Sequence, residues 1–189
     1  MLIGFSGALR SGKDAAADHL AEKFGYVKLQ FGELVSEALI ALNPIVSAGI
    51  EPGVTTRYAD LIEVLGYSRT KEIPEARRLL QTLGTEVARD LFGENVWVDM
   101  MERKVRALLA RNVNVAITGV RFPNELAMLH RLGGLSAFIY RPGYEQEGHS
   151  SETSIMLLDC TNYIANDGPL EDLYAKVEAL HARESQPHG

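Results

Sequence analysis

Gly7-Ala-Leu-Arg-Ser-Gly12-Lys13-Asp14 is the stretch on which the reading of the fold turns. Its first seven residues satisfy G-x-x-x-x-G-K. The apolar run Met1 to Ser6 (MLIGFS) precedes it and reads as a short buried strand. Lys13 to Phe24 follows, with Ala17, Leu20, Ala21 and Phe24 at the spacing of one helix face. Strand, glycine-rich turn and helix, in that order, are the context in which this pattern cradles phosphate. Gly7 and Gly12 let backbone N–H groups converge without interference from a Cβ, and the helix N-terminus adds partial positive charge. Lys13 is read as the catalytic cation, neutralising charge between the β- and γ-phosphates of ATP.

Outward from this loop, strands and helices alternate. Gly25 closes the first helix as a C′ residue. Tyr26 to Phe31 reads as a second strand, and residues 32–111 as an almost wholly helical block broken at Asn43-Pro44, Glu51-Pro52-Gly53 and Ile73-Pro74. Val113 to Val120 (VNVAITGV) reads as a buried parallel strand. Phe122 to Leu132 reads as a helix, Leu135 to Tyr140 and Thr161 to Ala165 as strands, and Pro169 to Ala182 as a closing helix. The predicted fold is therefore α/β: one P-loop domain over 1–184 with a parallel sheet flanked by helices. A helical acceptor-binding insertion follows strand two, a lid lies at 141–152, and 185–189 forms a frayed tail.

Composition narrows the function classes. The 189 residues carry 19 Lys plus Arg against 25 Asp plus Glu, a net charge of −6. That balance argues against a nucleic-acid-coating or membrane-surface role, whose footprint is usually basic. A single cysteine, Cys160, allows no intrachain disulfide framework and reads as a small half-buried thiol. No apolar stretch is long enough to span a bilayer, and a cytoplasmic location is expected.

Asp14 stands where the pattern usually has a Ser or Thr whose hydroxyl ligates Mg²⁺. As a hard oxygen donor it suits the metal, and it suits a helix cap equally well. On the helix that begins at Pro74, Leu79, Leu80, Leu83, Val87 and Leu91 gather on one face at α-helical spacing. Arg78, Gln81, Thr82, Thr85 and Arg89 gather on the other. Two guanidiniums, an amide and two hydroxyls are suited to holding a phosphate, a sugar and a base, although an ordinary solvated face fits the pattern too. Gly84 lies among them despite its cost in a helix. Arg121 and Arg141 each follow a predicted strand at the end where open parallel sheets bind ligands. Both are read as stabilising the transferring phosphoryl group or clamping ATP, against the plainer reading of surface arginines.

Four segments together resemble the deoxynucleoside monophosphate kinases of bacteriophages: GALRSGKDAAADHL (7–20), RRLLQTLGTEVARDLFGENVWV (77–98), VRFPNELAMLHRLGG (120–134) and NDGPLEDLYAKV (166–177). The resemblance implies transfer of the γ-phosphoryl group of ATP, with Mg²⁺, to a deoxynucleoside monophosphate, in an enzyme that is often a homodimer. It implies that Arg10, Ser11, Gly12, Lys13, Asp14 and Ala15 bind the ATP phosphates. It further implies that Arg78, Gln81, Thr85, Glu86 and Arg89 bind the acceptor, that Arg121 and Glu125 belong to one functional segment, and that Asn166, Asp167 and Gly168 border the adenine. Gly119 departs from the family, which commonly has an acidic residue there, and Phe31-Gly32-Glu33 matches only approximately. Three rivals stand beside this reading. One is a kinase for another phosphorylated acceptor such as phosphomevalonate, whose animal enzyme has a similar S-G-K-D loop. The others are a catalytically silent nucleotide-binding protein and a plain ATPase.

Overall fold

A computed structural model describes residues 1–46, 55–144 and 155–184. By contact density the chain divides into two units, one of 1–30 with 102–189 and one of 31–101.

The first unit is built on five parallel strands: β1 (Leu2–Ser6), β2 (Val27–Gln30), β5 (Val115–Thr118), β6 (Leu135–Tyr140) and β7 (Asn162–Ala165). Their order is β2-β5-β1-β6-β7, with Leu2 opposite Val115 and Ile3 opposite Leu135 in register. All five residues of β1 are buried, as expected of a central parallel strand covered on both faces. Ile3 and Phe5 point to one side. There they join Ala16, Ala17 and Leu20 of α1 (Lys13–Phe24) and Leu173, Val177 and Leu180 of α8 (Leu170–Glu184). On the other side Gly4 and Gly134 make room for Leu129 of α7 (Pro123–Arg131). The helix α1 ends at Gly25 in the left-handed conformation, φ 69°, its N–H bonded to the Ala21 carbonyl.

The second unit holds α2 (Phe31–Leu42), an antiparallel pair of two-residue strands, β3 (Ile45–Val46) and β4 (Thr56–Arg57), and α3 (Tyr58–Thr70), interrupted at Gly66. It continues through α4 (Pro74–Gln81), a π-helical turn (Thr82–Val87) and α5 (Ala88–Phe92). The helix α6 (Val96–Leu109) begins here and crosses the unit boundary in sequence. Leu39, Val46, Tyr58, Leu61 and Ala76 form its core, with Leu79, Leu80 and Leu83 packed against them.

Three expectations from the sequence change. The second strand is shorter, because Phe31 already opens α2. The block 32–111 contains the small antiparallel β3–β4 pair as well as helices. The helix from Pro74 is not continuously α. The π turn widens the spiral, so the residues after it no longer follow α-helical phase. Leu91, grouped by α periodicity on one face with Leu79, Leu80 and Leu83, is 73% exposed, whereas those three pack against the core.

Among the described residues no helix is long and apolar enough to cross a membrane. The predicted lid is described only through Tyr144; 145–152 and the predicted tail 185–189 lie outside the described residues.

Candidate active site

The glycine-rich loop leaves the end of β1 and turns into α1. Gly7 has φ 131° and Gly12 φ 109°, both reached readily by glycine. At Gly7 a Cβ would collide with the Ile139 backbone carbonyl of β6, so the loop lies directly on the neighbouring strand. Arg10 takes the left-handed conformation, φ 62°, and stands exposed at the loop crest. Ser11 is fully buried, and its N–H donates to the Ala8 carbonyl at 3.2 Å. Lys13 folds back over the loop. Its Nζ donates to the Gly7 and Ala8 carbonyls at 2.7 and 2.5 Å and lies 3.5 Å from Ser11 Oγ. These carbonyls hold the ammonium above the turn, where a phosphate bound by the loop would meet it.

Two distant segments brace the loop. Asn166 Nδ2 donates to the Ser11 carbonyl at 2.8 Å, while the Asn166 N–H donates to the Tyr140 carbonyl at 2.7 Å. Arg141 Nη1 donates to the Arg10 carbonyl at 3.2 Å, its guanidinium lying 4.5 Å from the Tyr144 ring centroid. Arg141 and Asn166 follow the neighbouring strands β6 and β7, which is why residues far apart in sequence meet at one loop. The rest of the late loop is engaged elsewhere. Asp167 pairs with Lys176 of α8 at 3.1 Å, and that hydrogen bond draws its carboxyl below the usual range. Gly168 lies against Asp172.

Asp14 does not cap α1. Gly12 precedes the helix without a side-chain cap bond, and Asp14 lies in the first turn. Its Oδ1 accepts from Gln30 Nε2 at 3.1 Å and lies 3.4 Å from Lys28 Nζ. Gln30 Nε2 also donates to Thr118 Oγ1 at 2.9 Å. Gln30 and Thr118 end the paired strands β2 and β5 in register with one another. Sequence reading missed both, and the one hint was the strand that Gln30 terminates. The Asp14 carboxylate is the kind of hard oxygen donor that Mg²⁺ takes, and this ion is commonly held by one or two carboxylates together with substrate phosphates. The donor set fits that role, although no group of three or more His, Cys, Asp or Glu is assembled among the described residues.

After β5 the chain turns at Gly119, φ 72°, with open space where a Cβ would stand. Arg121 follows, exposed. Its backbone N–H donates to Glu125 Oε2 at 2.7 Å, and the Phe122 N–H reaches the same oxygen at 3.2 Å. Glu125 is 4% exposed. Its carboxylate satisfies two donors at the start of α7 and fixes the backbone from which Arg121 projects.

Within the second unit, Arg78 makes a bidentate pair with Glu75, at 2.6 and 3.0 Å. That pairing lowers the Glu75 carboxyl and raises the Arg78 guanidinium from their ordinary values. Gln81, Thr85 and Glu86 are exposed, and Thr82 and Arg89 half-buried. The π turn that carries Thr82 and Thr85 is pinned from α6, where Trp97 Nε1 donates to the Gly84 carbonyl at 2.8 Å. A Cβ on Gly84 would lie 3.2 Å from Val35. So Gly84 admits a close neighbour, and Trp97 is a buried anchor.

Comparison with known proteins finds relatives described as deoxynucleotide monophosphate kinases and a fold shared with other kinases. A putative deoxynucleotide monophosphate kinase of Acanthamoeba polyphaga mimivirus is 25% identical over 98% of this chain and 98% of its own length. The deoxynucleotide monophosphate kinase of Escherichia phage RB69 is 25% identical over 95% of this chain and 98% of its own. An uncharacterized protein of Ictalurid herpesvirus 1, ORF77, is 35% identical over 94% of this chain and 69% of its own. In fold, the dephospho-CoA kinase of Campylobacter jejuni superposes with a TM-score of 0.51 at 13% identity, over 96% of each chain. A sugar kinase from Janibacter reaches 0.54 at 16% identity, over 98% of this chain and 95% of its own. The family model for deoxynucleotide monophosphate kinases matches residues 54–177, more than half of the chain, and the chain belongs to that family.

Proposed function

We propose that this ATP-dependent deoxynucleoside monophosphate kinase works by positioning and charge neutralisation, with Lys13 as its central catalytic residue. The observation that carries this reading is the lysine clasped over the glycine-rich loop by the Gly7 and Ala8 carbonyls. In P-loop enzymes a lysine so placed bridges β- and γ-phosphates and stabilises the charge that builds up during transfer. The backbone N–H groups of 7–13, together with Arg10, Ser11 and Ala15, hold the ATP phosphates, while Asn166 keeps the Ser11 peptide in orientation. Asp167 and Gly168 border the adenine, and Arg141 clamps the loop from the side.

Asp14 is the residue that would hold Mg²⁺, which when bound neutralises phosphate charge. Arg121, on a backbone fixed by Glu125, stabilises the equatorial oxygens of the transferring group. The acceptor is held by Arg78, Gln81, Thr82, Thr85, Glu86 and Arg89. For Arg78 this means exchanging its Glu75 partner for a phosphate, to which a guanidinium also bonds in bidentate fashion. No general base is needed, because the second pKa of a phosphate monoester lies at about 6.

The test is ADP formation from ATP with each of dAMP, dGMP, dCMP and dTMP, against phosphomevalonate and a reaction without acceptor. Turnover that depends on a deoxynucleotide supports the assignment. Equal ADP formation without acceptor would identify a plain ATPase, and turnover with phosphomevalonate alone would move the acceptor to another class.

A further inference from the structure

Both of the contacts that fix the Asp14 carboxylate fall on one oxygen. Gln30 Nε2 and Lys28 Nζ approach Oδ1, and among the described residues none engages Oδ2. Asp14 is on the first turn of α1 with its side chain 55% exposed. An exposed aspartate there would sample several rotamers without a partner. Gln30 is such a partner, and it is braced in turn. The same Nε2 donates to Thr118 Oγ1, and Thr118 is 1% exposed at the end of β5, in register with Gln30. Lys28 is held chiefly by Asp18 at 2.8 Å, so its charge is met without Asp14.

We propose that Gln30, braced by the Thr118 hydroxyl, is a positioning residue for the metal of the nucleotide complex: it holds Oδ1 of Asp14 and thereby aims Oδ2 at the cation. Gln30 acts only through Asp14 and is not itself a ligand. The need for such a device follows from the donor set. Mg²⁺ demands near-octahedral geometry and tolerates little misplacement of its ligands. With no cluster of acidic or imidazole groups to share the ion among the described residues, the orientation of one carboxylate becomes limiting. Loss of an outer partner that orients a ligand typically costs about 10–100-fold in metal affinity.

The inference rests on the reading of Asp14 as the metal-side residue, and one experiment separates the two. ADP binding is measured by calorimetry over a series of free Mg²⁺ concentrations and in EDTA, for the wild type and for Asp14→Asn, Gln30→Ala and Thr118→Val. The expected result is a half-saturating Mg²⁺ concentration raised about tenfold in Gln30→Ala, the worth of one charge-assisted hydrogen bond. Thr118→Val, close in shape to threonine, shifts it in the same direction. Metal-free ADP affinity stays within about twofold in both, as expected when only the carboxylate's orientation changes. A merely structural glutamine would lower the melting temperature and leave the Mg²⁺ dependence in place. So a shift in Asp14→Asn with none in Gln30→Ala would overturn the inference while sparing the role of Asp14. No shift in Asp14→Asn would overturn both.

Discussion

Replacing Gly7 by alanine tests the geometry of the phosphate loop most severely. Gly7 has φ 131°, which an L side chain adopts only under strain. A Cβ there would collide with the Ile139 carbonyl of β6 and stand 3.0 Å from Ser11 Oγ. The first obstacle is backbone in the middle of the sheet and cannot swing aside. Conformational strain costs about 1–3 kcal/mol, and forcing an extra carbon into a packed site costs about 1–3 kcal/mol more. For a chain of this length each kcal/mol lowers the melting temperature by about 2–4 °C, so a fall of roughly 4–24 °C is expected. Gly25→Ala is the matched control. Gly25 also has a positive φ, 69°, but nothing lies within 4 Å of its Cβ position. It should lose only the left-handed penalty of about 1–2 kcal/mol, and its ATP affinity should be unchanged. Thermal melts followed by circular dichroism, with ATP binding on the same samples, read both effects. If Gly7→Ala melted no lower than Gly25→Ala and bound ATP normally, the loop would not rest on β6 as described.

Other perturbations reach the remaining parts of the site. Asn166→Ala removes the donor to the buried Ser11 carbonyl; steady-state kinetics should show the KM for ATP raised about fivefold, near 1 kcal/mol, with the acceptor KM little changed. Trp97→Phe keeps an aromatic but smaller side chain and deletes the bond to the Gly84 carbonyl. It should cost about 1–2 kcal/mol in denaturant unfolding and raise the acceptor KM while sparing that for ATP. Tyr26, buried and hydrogen-bonded to Met1 Sδ and His181, has its hydroxyl pushed up by burial from 10.0 to about 12. Its folded-state pKa is the higher one, so its contribution is intact below pH 10 and is lost as pH rises toward 12. Stability measured across that interval should fall in the wild type and fall less in Tyr26→Phe.

How far the sequence disclosed this arrangement depends on whether the signal is local. The strand, loop and helix from Met1 to Gly25 were legible because each rests on neighbouring residues: the apolar run, the glycine spacing, the α-helical phase and the terminal glycine. The parallel sheet followed from the alternation of elements. The π turn did not, since its sequence, TLGTEV, has no distinct periodicity and its pin, Trp97, comes 13 residues after Gly84. For that reason Leu91 does not share the packed face of Leu79, Leu80 and Leu83 with which α periodicity grouped it. The Gln30–Thr118 contact joins residues 88 apart and Asn166–Ser11 residues 155 apart. Sheet order alone brings each pair together, and no local pattern encodes that order. Asp14 was recognised as unusual from the motif, but its partners waited on the register of β2 and β5.

The proposed role of Lys13, held over the glycine-rich loop, is to drive phosphoryl transfer from ATP to a deoxynucleoside monophosphate. Its most direct test is the rate of labelled γ-phosphate transfer to a deoxynucleotide by wild-type and Lys13→Ala proteins of matched melting temperature. A loss of at least about 10²–10³-fold is predicted, the scale on which removing one charge-stabilising group acts. Turnover in Lys13→Ala equal to that of the wild type would contradict the account.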